Sequence, residues 1–520
     1  MKKRFNITGN CNEKEHYMMD DSRRFAAIMD IVEYGEYFVI NRPRQYGKTT
    51  MLFALVNYFY QKEDYFPIKL NFQGVDSQWL VSEVAFSEMF LLHVKKDLKR
   101  RYPEKVHLTE NVEIKTIDDT SEWISSFIEA IGKKVVLLID EVDASSNYDA
   151  FLHFLGMLRS KYLARIDGER TFHSIVLAGV HDIKSLKFKL RNPEDAQYNS
   201  PWNIAADFKV VMEFYPEEII FMLRQYSEAE NVKINFEEIA EKLYYYTSGY
   251  PFLISKLCKT IAEDILPKKY DKTEWTLEDL EKSVQLLLRE RNTNFDSLIK
   301  NLENNESLYR LVFAIIIEGQ KIPYDPNAKD IRMGEMYGIF KGNGIIKIHN
   351  RVYEQVIYNY MAATRLQDFI NEKKYNFRDT YLAHDGSLDL ETVLRKFQAF
   401  MKEQYSQKNN ELIEREWRLI FLAFLKPILN GQGHDFKEVE TSEEKRLDIV
   451  VTYLEWKYII ELKIWRGEKS HQKGLDQLAN YLEIHGVESG FLLIFDDREK
   501  PTWREELIKY NNKEILAVWV

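Results

Sequence analysis

The sequence predicts a multidomain α/β protein, and three observations carry that prediction. Apolar runs at 37–40, 67–72, 135–139 and 174–178 alternate with segments of helical periodicity, the pattern of a parallel sheet wound on both faces. The triplet Gly47-Lys48-Thr49 falls between the first of those runs and a helix-patterned segment. Near the C-terminus two β-branched runs, 447–453 and 458–464, flank a polar turn and carry acids and a lysine at strand spacing.

In chain order, residues 37–40 read as a strand, 51–60 as an amphipathic helix and 67–72 as a second strand. Apolar positions at helical spacing make 121–131 a helix, and the unbroken apolar run 135–139 is the mark of a strand buried on both faces. A helix over 149–163 and a strand over 174–178, ended by Gly179, complete this part. Residues 217–229, 236–247 and 250–265 carry apolar residues at i, i+3 and i+4, punctuated by Gly249 and Pro251, and predict a helical lid. The segment 304–360 is mixed: a helix, strands at 334–340 and 345–349, then a helix at 351–361, in the manner of a winged-helix-like module. A polar stretch over 365–385 reads as a linker. Helices at 388–404 and 412–429 follow, and the last hundred residues read helix, strand, strand, helix, strand. The resulting boundaries are 1–215 for the first α/β domain, 216–300 for the lid, 301–365 for the winged-helix-like module, 366–387 for the linker and 388–520 for the C-terminal domain.

Composition agrees. At roughly 100–200 residues per domain, 520 residues make about three domains, and 45% hydrophobic residues supply their cores. A formal net charge of −10 argues against a protein coated in basic charge, while leaving room for a local basic groove. Two cysteines, Cys11 and Cys258, exclude a disulfide framework and point to a reducing compartment. The basic opening MKKRFNITGN lacks the apolar stretch of a signal peptide, and no apolar run nears the roughly 18 residues of a membrane span. A cytoplasmic protein without a membrane partner is expected.

The loop Arg42-Pro43-Arg44-Gln45-Tyr46-Gly47-Lys48-Thr49 matches the second half of the phosphate-binding pattern G-x-x-x-x-G-K-[ST], with Arg42 in place of the first glycine. The backbone N–H groups of such a turn and the helix N-terminus after it face phosphate. Arg44, Gln45, Tyr46, Gly47, Lys48, Thr49, Thr50 and Asp140 are therefore the candidate ATP ligands. Lys48 would reach the outer phosphates and the Thr49 hydroxyl would ligate Mg²⁺. The strand 135–139 ends in Asp140 and Glu141. Asp140 would hold Mg²⁺ and Glu141 would orient or deprotonate the attacking water. A surface turn beside an ordinary core strand is the plain alternative; the order and context of the two motifs argue against it. The segment 174–182 resembles the strand after the Asp-Glu strand of AAA- and STAND-type ATPases, in which a polar residue at the strand end senses the terminal phosphate; Ser174 stands too early for that, His181 or Asp182 is better placed, and capping of the next helix is at least as strong a reading. Arg191 reads as a surface arginine more readily than as an arginine finger.

In the C-terminal hairpin, Asp448 opens the first strand, and Glu461 and Lys463 stand two apart on the second and so share a face. Charges inside an apolar strand are costly unless paired or metal-bound. Asp448 and Glu461 are hard oxygen ligands suited to Mg²⁺, with Lys463 to steady a water or phosphate charge. Gln477 and Tyr481 fall four apart on the helix that follows. Upstream stand the further acids Glu414, Glu416 and Glu440, of which Glu416 leads into the apolar run 417–425. For Asp448, Glu461 and Lys463 taken alone a structural ladder of ion pairs is the favoured account; with Gln477, Tyr481 and the flanking helix–strand order, the metal site is favoured instead.

Together these stretches resemble the bacterial AAA-ATPase-like proteins, related to AAA and STAND ATPases, that end in a PD-(D/E)XK nuclease domain. The likeness is carried by residues 37–50, 138–143 and 458–467 with Gln477 and Tyr481, and covers nearly the whole chain. It implies a P-loop NTPase parallel sheet with a helical lid, then an α/β restriction-endonuclease-like domain. In that family an arginine before the loop proline is usual, and Gln-x-x-x-Tyr often follows the E-x-K strand; a glutamate of the first nuclease helix often joins the metal, which implies Glu416 as a further metal ligand, with Glu440 another possible acid. The segment 247–252 resembles the G-x-P turn of STAND lids. The function expected is an ATP-hydrolysing protein coupled to Mg²⁺-dependent cleavage of nucleic acid, with DNA the expected substrate and a homo-oligomer allowed. The alternative is a STAND-like regulatory ATPase whose last domain only binds nucleic acid or a protein.

Overall fold

The apolar runs read as buried strands are strands covered on both sides. In a computed structural model, β1 (Tyr37–Asn41), β2 (Tyr65–Asn71), β3 (Lys134–Asp140) and β4 (Ser174–Gly179) form a parallel sheet in the order β1-β4-β3-β2. The model describes residues 2–146, 148–180, 202–317, 320–372, 387–405, 433–438, 448–453, 456–496 and 501–520, with isolated positions at 381–385, 417–425 and 498. The chain divides into two compact units, one of residues 1–287 with 332–339, the other of 288–331 with 340–520.

In the first unit, α1 (Ser22–Glu33), α2 (Lys48–Tyr60), α3 (Glu83–Arg101), α4 (Ile117–Ile131) and α5 (Asp149–Leu163) surround the sheet. The core joins Leu137, Ile139, Ile175 and Leu177 of the strands to Phe86, Phe90 and Phe154 of the helices. Local chemistry sets the helix ends. Thr116 and Asp119 form a reciprocal capping box at the start of α4, and Gly132, at φ 66°, ends it. Since all four strands run the same way, Asn41, Asn71, Asp140 and Gly179 finish at one edge. Open α/β sheets receive ligands at that edge.

A helical segment follows, as α6 (Pro216–Glu230), α7 (Phe236–Thr247), α8 (Pro251–Thr260) with a π turn over Ile261–Ile265, and α9 (Leu277–Arg289), tied by the short pair β5 (Lys233–Ile234) and β6 (Glu274–Trp275). Between α7 and α8 the chain turns at Ser248 (φ 48°) and Gly249 (φ 79°). A Cβ on Gly249 would fall against the Phe214 carbonyl oxygen and 2.8 Å from its amide nitrogen. Gly249→Ala is therefore expected to cost on the order of 3 kcal/mol, read as a fall of several degrees in the thermal midpoint.

The second unit holds α10 (Thr293–Glu303), α11 (Glu306–Ile316), the hairpin β7 (Phe340–Asn343) and β8 (Ile345–Ile348), α13 (Arg351–Glu372) and α14 (Leu390–Tyr405); α12 (Lys329–Met336) passes from it into the first unit. Its main sheet has β9 (Gly433–Glu438), β10 (Asp448–Tyr453), β11 (Trp456–Ile464), β12 (Ser489–Phe495), β13 (Glu505–Tyr510) and β14 (Lys513–Trp519), in the order β13-β14-β12-β11-β10-β9. The sheet is mixed. β11, β12 and β14 are parallel, and the outer pairs antiparallel. α15 (Glu468–Ile484) packs on β11 and β12.

Several expectations need correction. Residues 334–339 are not a strand, and β7 starts only at Phe340; Gly334 lies in α12, and Gly338, at φ 72°, closes that helix with Gly338 N–H on Glu335 O and Ile339 N–H on Gly334 O. α1 and α3 form where no helix was expected. The helix that carries Gln477 and Tyr481 runs from Glu468 to Ile484, and β9 and the β13–β14 hairpin extend the C-terminal sheet at both edges. The helix expected over 412–429 lies largely outside the described residues.

Candidate nucleotide site and C-terminal acidic hairpin

The loop between β1 and α2 turns on two left-handed residues, Gln45 at φ 60° and Gly47 at φ 78°. The position a Cβ would take on Gly47 meets open space, so the backbone there is open to close approach. Lys48 opens α2 and folds back over the loop, its Nζ donating to the carbonyls of Arg42 (2.7 Å) and Pro43 (2.8 Å). Arg42, in the place of the usual first glycine, sends its guanidinium out of the loop to the Val210 carbonyl (2.7 Å) and over the Phe208 ring. Arg44 and Gln45 are exposed, Tyr46 is buried, and Thr49 is half-buried in the first turn of α2. The Thr50 hydroxyl accepts the N–H of Cys11 (3.2 Å), which turns Thr50 towards the N-terminal segment.

Burial lowers the Lys48 pKa to about 8, against the raising effect of Glu141, Asp143 and Asp140. A bound phosphate would favour the ammonium and raise that pKa again. The lysine is charged below about pH 8 and loses its proton above it in the free protein. Phosphate affinity is therefore expected to hold steady from pH 6 to about 7.5 and to fall above about pH 8, by up to about ten-fold per pH unit; ATP titrations across pH check it.

At the end of β3, Asp140 is 1% exposed. Its Oδ1 accepts the N–H of Glu141 (3.1 Å), while Oδ2 is buried with no hydrogen-bond partner among the described residues. A buried carboxylate oxygen left open in this way fits a cation site. Glu141 is half-buried at φ 55°, a strained conformation for a residue with a Cβ, and burial raises its pKa while Lys48 draws it down. Asp143 Oδ2 accepts the N–H of Val180 (2.7 Å), fastening the end of β4 to the loop after β3. A Cβ on Gly179 would come within 2.9 Å of Asp143 Oδ1, so the glycine is what permits that approach. His181, Asp182 and Arg191 lie outside the described residues.

Beside the loop opens a cavity of about 350 Å³, lined by Gly47, Thr50, Tyr17, Met212, Phe214 and Phe252 among others. That volume is of small-ligand size. A larger open cleft, of about 1130 Å³, lies at the opposite edge of the sheet between Lys134, Arg165 and His173, far from the motif residues. The smaller one is the one that the loop residues Gln45, Tyr46, Gly47 and Thr50 line. The donors present fit Mg²⁺ as P-loop sites hold it, by a threonine hydroxyl, one carboxylate and substrate oxygens. Among the described residues no group of three His, Cys, Asp or Glu side chains could hold a metal by itself.

In the C-terminal sheet, Asp448 stands directly opposite Glu461 in the β10–β11 pairing. Glu461 is 1% exposed, and Lys463, two residues on, lies 2.5 Å from its Oε1. Gln477 of α15 accepts a further hydrogen bond from Lys463 Nζ. Gly474 lets α15 come this close, since a Cβ there would fall 3.3 Å from Lys463 Cγ. Tyr481 lies deeper, in the apolar cluster of Ile459, Leu478 and Leu492. Glu414, Glu416 and Glu440 lie outside the described residues.

A parallel sheet carrying a Lys-Thr loop and an Asp-Glu strand end on one edge defines a P-loop NTPase-like domain. The chain belongs to the AAA-like domain family, whose model matches residues 11–353. Among solved structures it is similar to the Walker-type ATPase of Pyrococcus abyssi (13% identity, TM-score 0.42, covering 68% of this chain and 99% of that one). It is also similar to the Aeropyrum pernix ORC1 protein in complex with DNA (11%, TM-score 0.30, 67% and 94%) and to the Thermotoga maritima RuvB Holliday junction branch migration motor (13%, TM-score 0.33, 63% and 90%). Comparison with curated proteins gives no match. No described helix is long and apolar enough to cross a membrane.

Proposed function

We propose that the chain binds and hydrolyses ATP at the β1–α2 loop. The observation that carries this reading is convergence: Lys48, the open Oδ2 of Asp140 and Glu141 meet at one sheet edge, next to a cavity of nucleoside size. The loop's N–H groups and the α2 N-terminus bind the phosphates, and Lys48 leaves its carbonyl partners to neutralise the outer ones. Glu141, its pKa raised by burial, takes the proton of the attacking water. Thr49 and Asp140 would hold Mg²⁺, which supplies charge neutralisation between the outer phosphates when bound. The test is ATP binding and phosphate release by wild type and Lys48→Ala; a variant as active as wild type rejects the reading.

For the second unit we propose a restriction-endonuclease-like domain, with Asp448, Glu461 and Lys463 at its centre and Gln477 orienting the lysine. The supporting observation is register, since Asp448 and Glu461 face each other across β10–β11 with Lys463 in contact with Glu461. The proposed substrate is nucleic acid, DNA before RNA, cut with Mg²⁺. A second reading has its own support. Glu461 Oε1 is already paired with Lys463 at 2.5 Å, which suits a domain that binds nucleic acid or protein without cutting it, under the control of the ATPase. The domain order proposed remains P-loop domain, helical lid, winged-helix-like module, linker and C-terminal domain.

A further inference from the structure

Glycine adopts positive φ freely, so Gly47 costs the phosphate loop little; glutamine does not, and Gln45 at φ 60° needs support from its surroundings. Two contacts from outside the loop supply it. Tyr250, 1% exposed, donates its hydroxyl to the Arg44 carbonyl at 2.6 Å. Its ring meets Tyr46 edge-on with centroids 4.4 Å apart, and the Tyr46 hydroxyl donates to Glu213 Oε1 at 3.2 Å. Gly338, closing α12, lies against Pro43 so tightly that a Cβ there would fall 2.8 Å from Pro43 Cγ.

The first contact has a directional consequence. A peptide unit is planar, with its C=O and N–H opposed. Fixing the Arg44 carbonyl on Tyr250 fixes the Gln45 N–H in the opposite direction, away from Tyr250. A left-handed residue in such a turn is what brings successive N–H groups together on an anion. The same hydrogen bond thus sets the orientation of one phosphate donor and holds the strained residue that bears it.

We propose that Tyr250 is a positioning residue for the nucleotide's phosphates, acting through the Arg44–Gln45 peptide, with the Pro43–Gly338 contact as a second brace. This inference rests on the nucleotide reading above. It places in the lid a group that touches neither base nor phosphate yet sets phosphate affinity.

The test titrates the full chain with ATP and with adenosine, for wild type, Tyr250→Phe, Gln45→Gly and the double variant. Tyr250→Phe is expected to raise the Kd for ATP about five- to ten-fold, the worth of one hydrogen bond, and to leave that for adenosine unchanged. Gln45→Gly removes the need for a brace, so adding Tyr250→Phe to it should weaken ATP by less than about two-fold. Equal ATP affinity in wild type and Tyr250→Phe overturns the proposal, and so does an equal loss for ATP and adenosine, which marks a merely structural role. A wild type that binds adenosine but not ATP rejects the phosphate-loop reading itself, a result no Tyr250 variant can imitate.

Discussion

Glu141→Gln is expected to lower ATP turnover by about 10²–10⁴-fold, the usual contribution of a general base, while ATP binding stays within about three-fold of wild type. Glutamine keeps the shape of the side chain at the end of β3 and removes only its capacity to take a proton. The side chain is half-buried, and its raised pKa makes it a better base than a solvated glutamate. Lys48→Ala should behave in the opposite sense, losing ATP affinity first, since that ammonium is held over the loop before any nucleotide arrives. Phosphate release and direct ATP binding, measured on both variants, separate the two roles. A Glu141→Gln chain that turns over normally would move the base elsewhere.

The second large effect is expected in the C-terminal sheet. If that domain cuts nucleic acid, Asp448→Ala and Glu461→Gln should each reduce Mg²⁺-dependent cleavage on the order of 10³-fold. Glu461→Gln is chosen over alanine because removing one member of a buried ion pair outright can cost about 3–5 kcal/mol, and loss of fold would imitate loss of chemistry. The alternative makes a distinct prediction. If Glu461 and Lys463 are only an ion pair, wild type cuts no form of DNA or RNA with Mg²⁺ or Mn²⁺, and Glu461→Gln changes stability alone.

The parts of the fold that were legible in the sequence are those where one physical requirement dominates. β3 is apolar from Val135 to Ile139 because helices cover both its faces, and no other element fits so short an apolar run ending in two acids. The phosphate loop was legible because close backbone approach and a charged donor leave few residue choices. Elements at the periphery were harder to read. β13, sequence EELIKY, is largely exposed at a sheet edge, so no alternation marks it, and β9, GHDFKE, is as polar at the other edge. α3 carries charge along much of its length, which hides the face that Phe86, Phe90 and Val94 bury. In the candidate site, Lys48, Asp140 and Glu141, which the structure brings together, could be named in advance because the roles proposed for them depend on their own chemistry. Tyr250 and Asp143 could not, since each acts through a backbone group distant in sequence, the Arg44 carbonyl and the Val180 amide. The register of Asp448 on Glu461 follows from the short reversal that pairs Tyr453 with Trp456, where the sequence suggested a longer turn.

The most direct test of the central claim is equilibrium binding of a non-hydrolysable ATP analogue to the full chain at pH 7, with and without Mg²⁺, for wild type and Asp140→Asn. Saturation at one nucleotide per chain, tightened by Mg²⁺ in wild type but not in Asp140→Asn, is the predicted result. Absence of binding at millimolar nucleotide, or the same Mg²⁺ response in both proteins, would contradict the assignment of the β1–α2 loop and the β3 end to a single nucleotide site.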